Sequence, residues 1–293
     1  MPEIPEIEGL VAFLSRKVIG SVFASVQIGA ISVVKTANPP LSALVDDEID
    51  SVGRSGKFLW LHTKAGLFLA THLSRAGWLR WYDSPPATRI KMGNGPLAAR
   101  FTLIDSAGTI TGGFDLTEAG TQKRLALYLV ADLNQISGVA RLGPDPLAPA
   151  FTDDHLRQIL ADQGGRHLKT LLRDQSVLAG IGNAYSDEIL HLAKLNPTAA
   201  SNSLSTDQQT ALFAALHHIL DPAIADAATR KPAELKDGKR QSMRVHGRSG
   251  LACEVCQDTI ASVSSADSDY QYCPTCQTGG RLLADRRMSR LLK

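Results

Sequence analysis

The segment CEVCQDTIASVSSADSDYQYCPTC, residues 253–276, holds every cysteine of the 293-residue chain: Cys253 and Cys256, sixteen intervening residues, then Cys273 and Cys276. Two C-x2-C pairs at this separation form a zinc-site spacing. Each pair folds back so that one turn offers two thiolates, and two such turns close a tetrahedral shell of four sulfurs around one structural ion. Two disulfides or four free thiols are the alternatives. Disulfides need an oxidising compartment, and nothing at the start of the chain looks like a secretory signal. Between the pairs, β-branched and aromatic residues at 259–263 and 270–272 flank a polar tip, which predicts a β-hairpin. A module this small cannot bury a core of its own. Metal replaces the missing burial, so the module's task is set by the rest of the chain.

With 44% hydrophobic and 20% charged residues, the chain is expected to form about two globular domains besides this module. No apolar run approaches a membrane span. The net charge of +2 hides an asymmetry, because residues 230–248 carry seven Lys/Arg against Glu234 and Asp237, and residues 277–293 carry five against Asp285. Residues 1–229 are left at −3. The positive segments flank the cysteines, which points to a polyanion partner. A solvated basic linker and tail is the blander reading.

At the other end, Pro5 suits a helix N-terminus, Glu6 and Glu8 favour its positive pole, and Ile7, Leu10, Val11 and Leu14 share a face. A helix over 5–18 is predicted. If Met1 is removed, Pro2 becomes a secondary amine beside the Glu3 carboxylate, able to attack a carbonyl carbon. From residue 21 to about 130, strand patterns at 23–28, 58–62, 67–73, 78–82, 100–104 and 125–130 alternate with turn signals, predicting a β-sandwich or flattened barrel. Arg54-Ser55-Gly56-Lys57 puts a cation at the mouth of one strand.

Residues 142–147 (LGPDPL) read as a linker, and helices follow. Thr152 caps one that stops at Gly164-Gly165; others are expected over 167–174 and 183–194, and Ser205 with Gln208 forms a capping box for a helix through Ile219. Gly180-Ile181-Gly182-Asn183 is either a tight interhelical turn or a place where backbone closes on a phosphate.

Together these pieces resemble the bacterial formamidopyrimidine-DNA glycosylase and endonuclease VIII family. The opening Met1-Pro2-Glu3, Gly56-Lys57-Phe58, His72-Leu73, 142–147, 180–188, Val245-His246-Gly247-Arg248 and the paired cysteines come in the family's order. The resemblance implies an α+β multidomain clamp on damaged or abasic-site DNA. Its parts would be an N-terminal β-sandwich with a leading helix (1–135), a helix-two-turn-helix domain (136–245), a C-terminal four-cysteine zinc-finger β-hairpin (246–278) and a basic tail (279–293). It also implies a bacterial, cytoplasmic, nucleoid-associated monomer holding one structural zinc ion and touching no membrane. Pro2 would attack the sugar C1′ of a flipped nucleotide, expel the base and leave a Schiff base open to β- and δ-elimination. Glu3 would transfer protons, Lys57 and Asn183 would hold phosphates at the lesion, and Lys169 would be a further DNA contact.

The chain departs from the family in four places. Ser268, between Asp267 and Asp269, stands where the family has a finger arginine, which leaves the role of DNA contact to Arg244 and Arg248 before the finger and to Arg281, Arg286 and Arg287 after it. Arg75 stands in place of a methionine wedge, and the other void-filling residues fall near Lys123, Arg124 and Leu125. Residues 230–244 are too few for the long loop with which 8-oxoguanine enzymes cover their base. The tail runs past the family's usual end. A bifunctional DNA glycosylase and abasic-site lyase is the leading expectation, a damage-binding protein without efficient turnover the second, and a zinc-ribbon adaptor the third.

Overall fold

A computed structural model of the chain describes residues 1–93, 95–120, 122–264 and 269–284. Ser268, Asp267, Arg286 and Arg287 lie outside the described residues, as does the tail from 285 onward. Two compact units are formed: Met1–Arg141 with Ile224–Lys236, and Leu142–Ala223 with Asp237–Lys293.

In the first unit, α1 (Ile4–Val18) precedes two four-stranded antiparallel sheets. One has the order β1 (Val22–Ile28), β6 (Leu97–Ile104), β7 (Ile110–Glu118), β5 (Gly77–Tyr82); the other runs β2 (Ile49–Ser55), β3 (Phe58–Thr63), β4 (Phe68–His72), β8 (Ala126–Val130). The inward residues of both sheets, among them Phe23, Leu59, Leu69, Phe101, Phe114 and Leu127, join Ile7, Leu10 and Leu14 of α1 in one core. Each such buried side chain contributes about 1.5–3 kcal/mol before conformational entropy is set against it. The expected sandwich is present, with two strands that the periodicity does not reveal. β2 is only half-buried along most of its length. β7 carries Gly112-Gly113 and Asp115 in its interior, and Asp115 holds Arg100 of β6 in a buried two-pronged pair at 2.7 and 2.8 Å. A charged pair on the sandwich's outer face hides the strand from a hydrophobicity reading.

The second unit contains α3 (Asp153–Asp162), α4 (Leu168–Arg173), α5 (Asn183–Leu192), most of α6 (Thr206–Thr229) and the hairpin of β9 (Ala261–Ser264) and β10 (Asp269–Tyr272), followed by α8 (Pro274–Thr278); the short α2 (Ser137–Ala140) belongs to the first. Thr152 caps α3, accepting the His155 amide, and Ser205 and Gln208 exchange backbone bonds at the head of α6. Two findings go beyond the sequence-based expectations. α6 continues past Ile219 through Pro222 to Thr229, and residues 230–244 contain a further helix, α7 (Leu235–Ser242). Its only strongly apolar anchor is Leu235, so its helical period is faint in a stretch dominated by charge. Among the described residues no helix is long and apolar enough to cross a membrane.

Candidate active site and metal centre

Pro2 is buried, and Glu3, 3% exposed, is the N-cap of α1. The Glu3 amide donates to Glu6 Oε2 at 2.8 Å, and the Glu3 carbonyl accepts from the Ile7 amide at 3.0 Å. An acceptor carboxylate in the first helical turn satisfies an amide that has no intrahelical partner, and this fixes the direction in which the Pro2–Glu3 peptide leaves the helix. One turn further on, Glu8 pairs with Arg54 Nε, tying α1 to the strand that leads into the β2–β3 turn. That turn has two residues, Gly56 and Lys57, between the paired Ser55 and Phe58. Gly56 takes φ +54°, a conformation that costs a side-chain-bearing residue energy. Lys57 comes out 5% exposed, not the solvated edge lysine that its position suggests. His72, opposite Phe58 on β4, has its pKa pushed down to about 4, first by burial and then by the charge of Lys57. In the sequence His72 stands out only as part of a motif, and its strand position opposite Phe58 is the signal that makes it a site residue.

Arg75 is exposed in the turn between β4 and β5, next to Ser74 at φ +56°. The Ala119 amide donates to the Ala76 carbonyl, so the loop after β7 lies against this turn. Buried Glu118 organises that loop: Oε1 accepts the amides of Arg124 (2.7 Å) and Leu125 (2.9 Å), and its carbonyl accepts Lys123 Nζ at 2.5 Å. Arg75 and Arg124 are therefore exposed on neighbouring loops at one end of the sheet. Leu125 is 1% exposed and part of the core, which removes it from any void-filling set at the surface.

In the second unit, Gly180 at φ +88° makes the turn before α5, and Gln175 clamps it by accepting the Gly180 amide and donating to the Ile181 carbonyl, both at 2.8 Å. The Gly180 amide is thus already used within the protein. Lys169, 3% exposed, donates to the Asn183 carbonyl (2.7 Å), Ser186 Oγ (2.8 Å) and Asp187 Oδ1 (2.5 Å). With these acceptors and its burial, Lys169 holds the start of α5 together and does not present its ammonium at the surface. Asn183 donates Nδ2 to the Asp269 carbonyl of β10 at 2.6 Å. Asp187 also takes His246 Nδ1 at 2.7 Å, and Glu188 accepts the amides of Arg244, Val245 and His246 at 2.8–3.0 Å. Burial pushes the Glu188 carboxyl above the usual carboxylate range, against the pull of those three amides. Arg244 is exposed, and Arg248 is half-buried with a 3.3 Å ion pair to Glu254. Asp187 and Glu188, absent from the sequence-derived site, are what position this basic segment.

The four cysteines converge. Sulfur separations are 3.3 Å for Cys256–Cys273, 3.4 Å for Cys256–Cys276 and 3.9 Å for Cys253–Cys276. A tetrahedral shell with Zn–S bonds of about 2.3 Å has edges of about 3.8 Å, so the donor set fits one ion of that size. Gln277 fastens the centre to the segment just after α5, accepting the Cys273 amide and donating to the Leu195 carbonyl, both at 2.9 Å. A fifth donor stands outside the sequence-based expectation: His191 Nε2 of α5 lies 3.4 Å from Cys253 Sγ. Only the fold reveals it, since a lone histidine 62 residues before the first cysteine carries no spacing signal. Burial pushes its pKa below the usual histidine range.

Residues 1–106 match the family profile described as the formamidopyrimidine-DNA glycosylase N-terminal domain, and residues 142–233 match the formamidopyrimidine-DNA glycosylase H2TH domain. An uncharacterized formamidopyrimidine-DNA glycosylase-like protein of Mycobacterium tuberculosis is 55% identical over 152 residues, covering 52% of this chain and 94% of the relative. The formamidopyrimidine-DNA glycosylase of Desulforamulus reducens is 30% identical over 290 residues, covering 94% of this chain and 99% of the relative. The crystal structure of the MutM (Fpg) protein of Thermus thermophilus superposes with a TM-score of 0.78 at 28% identity, over 94% of this chain and 98% of that one. Both domain matches, in order, together with a relative aligned along almost its whole length, establish that the chain belongs to the formamidopyrimidine-DNA glycosylase family.

Proposed function

We propose that the protein is a DNA glycosylase of base excision repair that also cleaves abasic sites through Pro2. The observation that carries the reading is the burial of Pro2 and Glu3 at the cap of α1, whose Glu8 is tied by Arg54 to the hairpin carrying Lys57. Family membership supplies the substrate class, and the relatives' names supply the glycosylase activity.

With Met1 removed, the Pro2 secondary amine attacks C1′ of the damaged nucleotide as the C1′–base bond breaks and the base leaves with a proton; the C1′–O4′ bond then opens, O4′ takes a proton, and an iminium remains. Glu3, whose peptide is held in place by Glu6, moves protons at the sugar. Loss of the C2′ proton expels the 3′ phosphate by β-elimination, and δ-elimination then expels the 5′ phosphate. Lys57 supplies positive charge for a phosphate flanking the lesion. Arg75 and Arg124 act as its exposed neighbours on the same unit, and Arg244 and Arg248 add contacts from the basic segment. Zinc held by Cys253, Cys256, Cys273 and Cys276 stabilises the fold of the hairpin and takes no part in the chemistry.

The test is borohydride trapping on DNA with a single abasic site, using protein whose free Pro2 has been verified by mass spectrometry. A covalent band is expected that protein retaining Met1, in which the Pro2 nitrogen is an amide, does not give. Tight binding of the same DNA with no trapped band would replace this reading with that of a damage-binding protein.

A further inference from the structure

We infer that His191 belongs to the metal centre: it donates its Nε2 hydrogen to the Cys253 thiolate when four cysteines hold the ion, and it becomes the fourth ligand when Cys256 does not. This goes beyond the proposed enzymatic reading and does not depend on it, since it concerns the free protein.

The donor geometry carries the inference. The ligand atoms of His191, Cys253, Cys273 and Cys276 all lie within 4.8 Å of one another, and Cys256 is not in that set. Cys256 Sγ instead approaches Cys273 and Cys276 at 3.3 and 3.4 Å. The three shared sulfurs thus have two candidate fourth partners, one thiol and one imidazole. Three cysteines with one histidine make a recognised closed zinc shell, so either partner completes a chemically ordinary site. The exposures differ in a way that matters. Cys256 is half-buried, whereas His191 is 4% exposed and follows the fully buried Leu190 on α5. The more accessible ligand is therefore the one with a substitute.

Burial argues against incidental packing. A neutral imidazole taken out of water without a polar partner costs on the order of 1–3 kcal/mol, and the sulfur of Cys253 is the polar atom that the structure provides within reach. An N–H donated to a thiolate is also a means by which an outer group orients a zinc ligand. α5 already grips the segment before the hairpin through Asp187 and Glu188, so His191 gives the same helix a hold on the metal centre.

The experiment uses full-length Cys256→Ala. Zinc per chain is measured by native mass spectrometry, and the ligand shell by zinc-edge X-ray absorption. The expected result is one zinc per chain, with three sulfurs and one nitrogen at about 2.0–2.1 Å and the outer-shell scattering of an imidazole. Adding His191→Phe in that background should release the ion. His191→Phe alone should keep the four-sulfur shell but hold zinc roughly tenfold more weakly in competition with a chelator, the size expected when an outer-shell partner is removed. Three outcomes overturn the inference: Cys256→Ala without zinc, Cys256→Ala with zinc held by three sulfurs and a water oxygen and no imidazole signature, or a double variant that retains as much zinc as Cys256→Ala.

Discussion

Lys57 and His72 show how one residue's burial sets the state of its neighbour. A lysine in a two-residue turn is ordinarily solvated, yet here it is nearly sealed, and the imidazole near it is held neutral. Burial is the larger cause of the His72 shift and the Lys57 charge the smaller, so Lys57→Ala should raise the His72 pKa from about 4 while leaving it below 6.5. Proton NMR titration of His72 reads this directly, and an unchanged midpoint would show that the two side chains do not sense each other. Stability follows with a definite sign. The folded pKa lies below that of the unfolded chain, so the unfolded state takes the proton first, and the contribution of His72 is intact above about pH 6.5 and is lost as pH falls towards 4. His72→Gln should therefore lose less stability than wild type between about pH 7 and about pH 4.5 in urea denaturation. Equal losses would contradict the buried, neutral assignment.

At the scale of elements, α5 organises the second unit, because successive residues on it hold different segments. Asp187 receives both Lys169 and His246, and Glu188 receives three amides of the segment before the hairpin. Asp187→Asn leaves a buried ammonium short of its counter-charge, and breaking a buried pair from one side costs about 3–5 kcal/mol. The expected outcome is a large drop in the urea midpoint, whereas a change below about 1 kcal/mol would mean that the pair is a surface-like one. Part of this was legible beforehand. Glycine turns and capping residues marked α3, α4, α5 and the start of α6, because backbone chemistry at helix ends is local. Cysteine spacing marked the four sulfurs that converge for the same reason. β7 was not legible, since its interior Asp115 finds Arg100 on another strand, nor was the burial of Lys169, whose acceptors lie fourteen to eighteen residues away. His191 is the extreme case, a contact made entirely by tertiary packing. The resemblance puts the void-filling residues near Lys123, Arg124 and Leu125, and of these Leu125 belongs to the core.

For the molecule as a whole, charge and chemistry are distributed on different parts of the chain. The proposed reacting groups lie within residues 1–57, in a stretch through 229 whose net charge is −3, while the cations concentrate in residues 230–248 and 277–293. Binding strength and turnover should therefore be separable by mutation. Several cations of the first basic segment are already engaged: Arg230 pairs with Asp226, Arg240 with Asp237, and Lys239 lies over Tyr185. Arg244 is exposed and is held in place by Glu188 through its backbone amide, which leaves its guanidinium to meet a phosphate. Arg248 must trade its 3.3 Å pairing with Glu254 for one. Removing one phosphate interaction flattens the dependence of log K on log salt by about 0.9, so Arg244→Gln with Arg248→Gln should reduce the slope by about 0.9 to 1.8 on abasic-site duplex. The double variant should still trap covalently at low salt, where the remaining cations suffice. Protein retaining Met1, in which the Pro2 nitrogen is an amide, should do the opposite, losing trapping while keeping its salt slope. Fluorescence anisotropy across a salt series, run beside the trapping assay, separates the two; a double variant with the wild-type slope would place the phosphate-binding charge elsewhere on the chain.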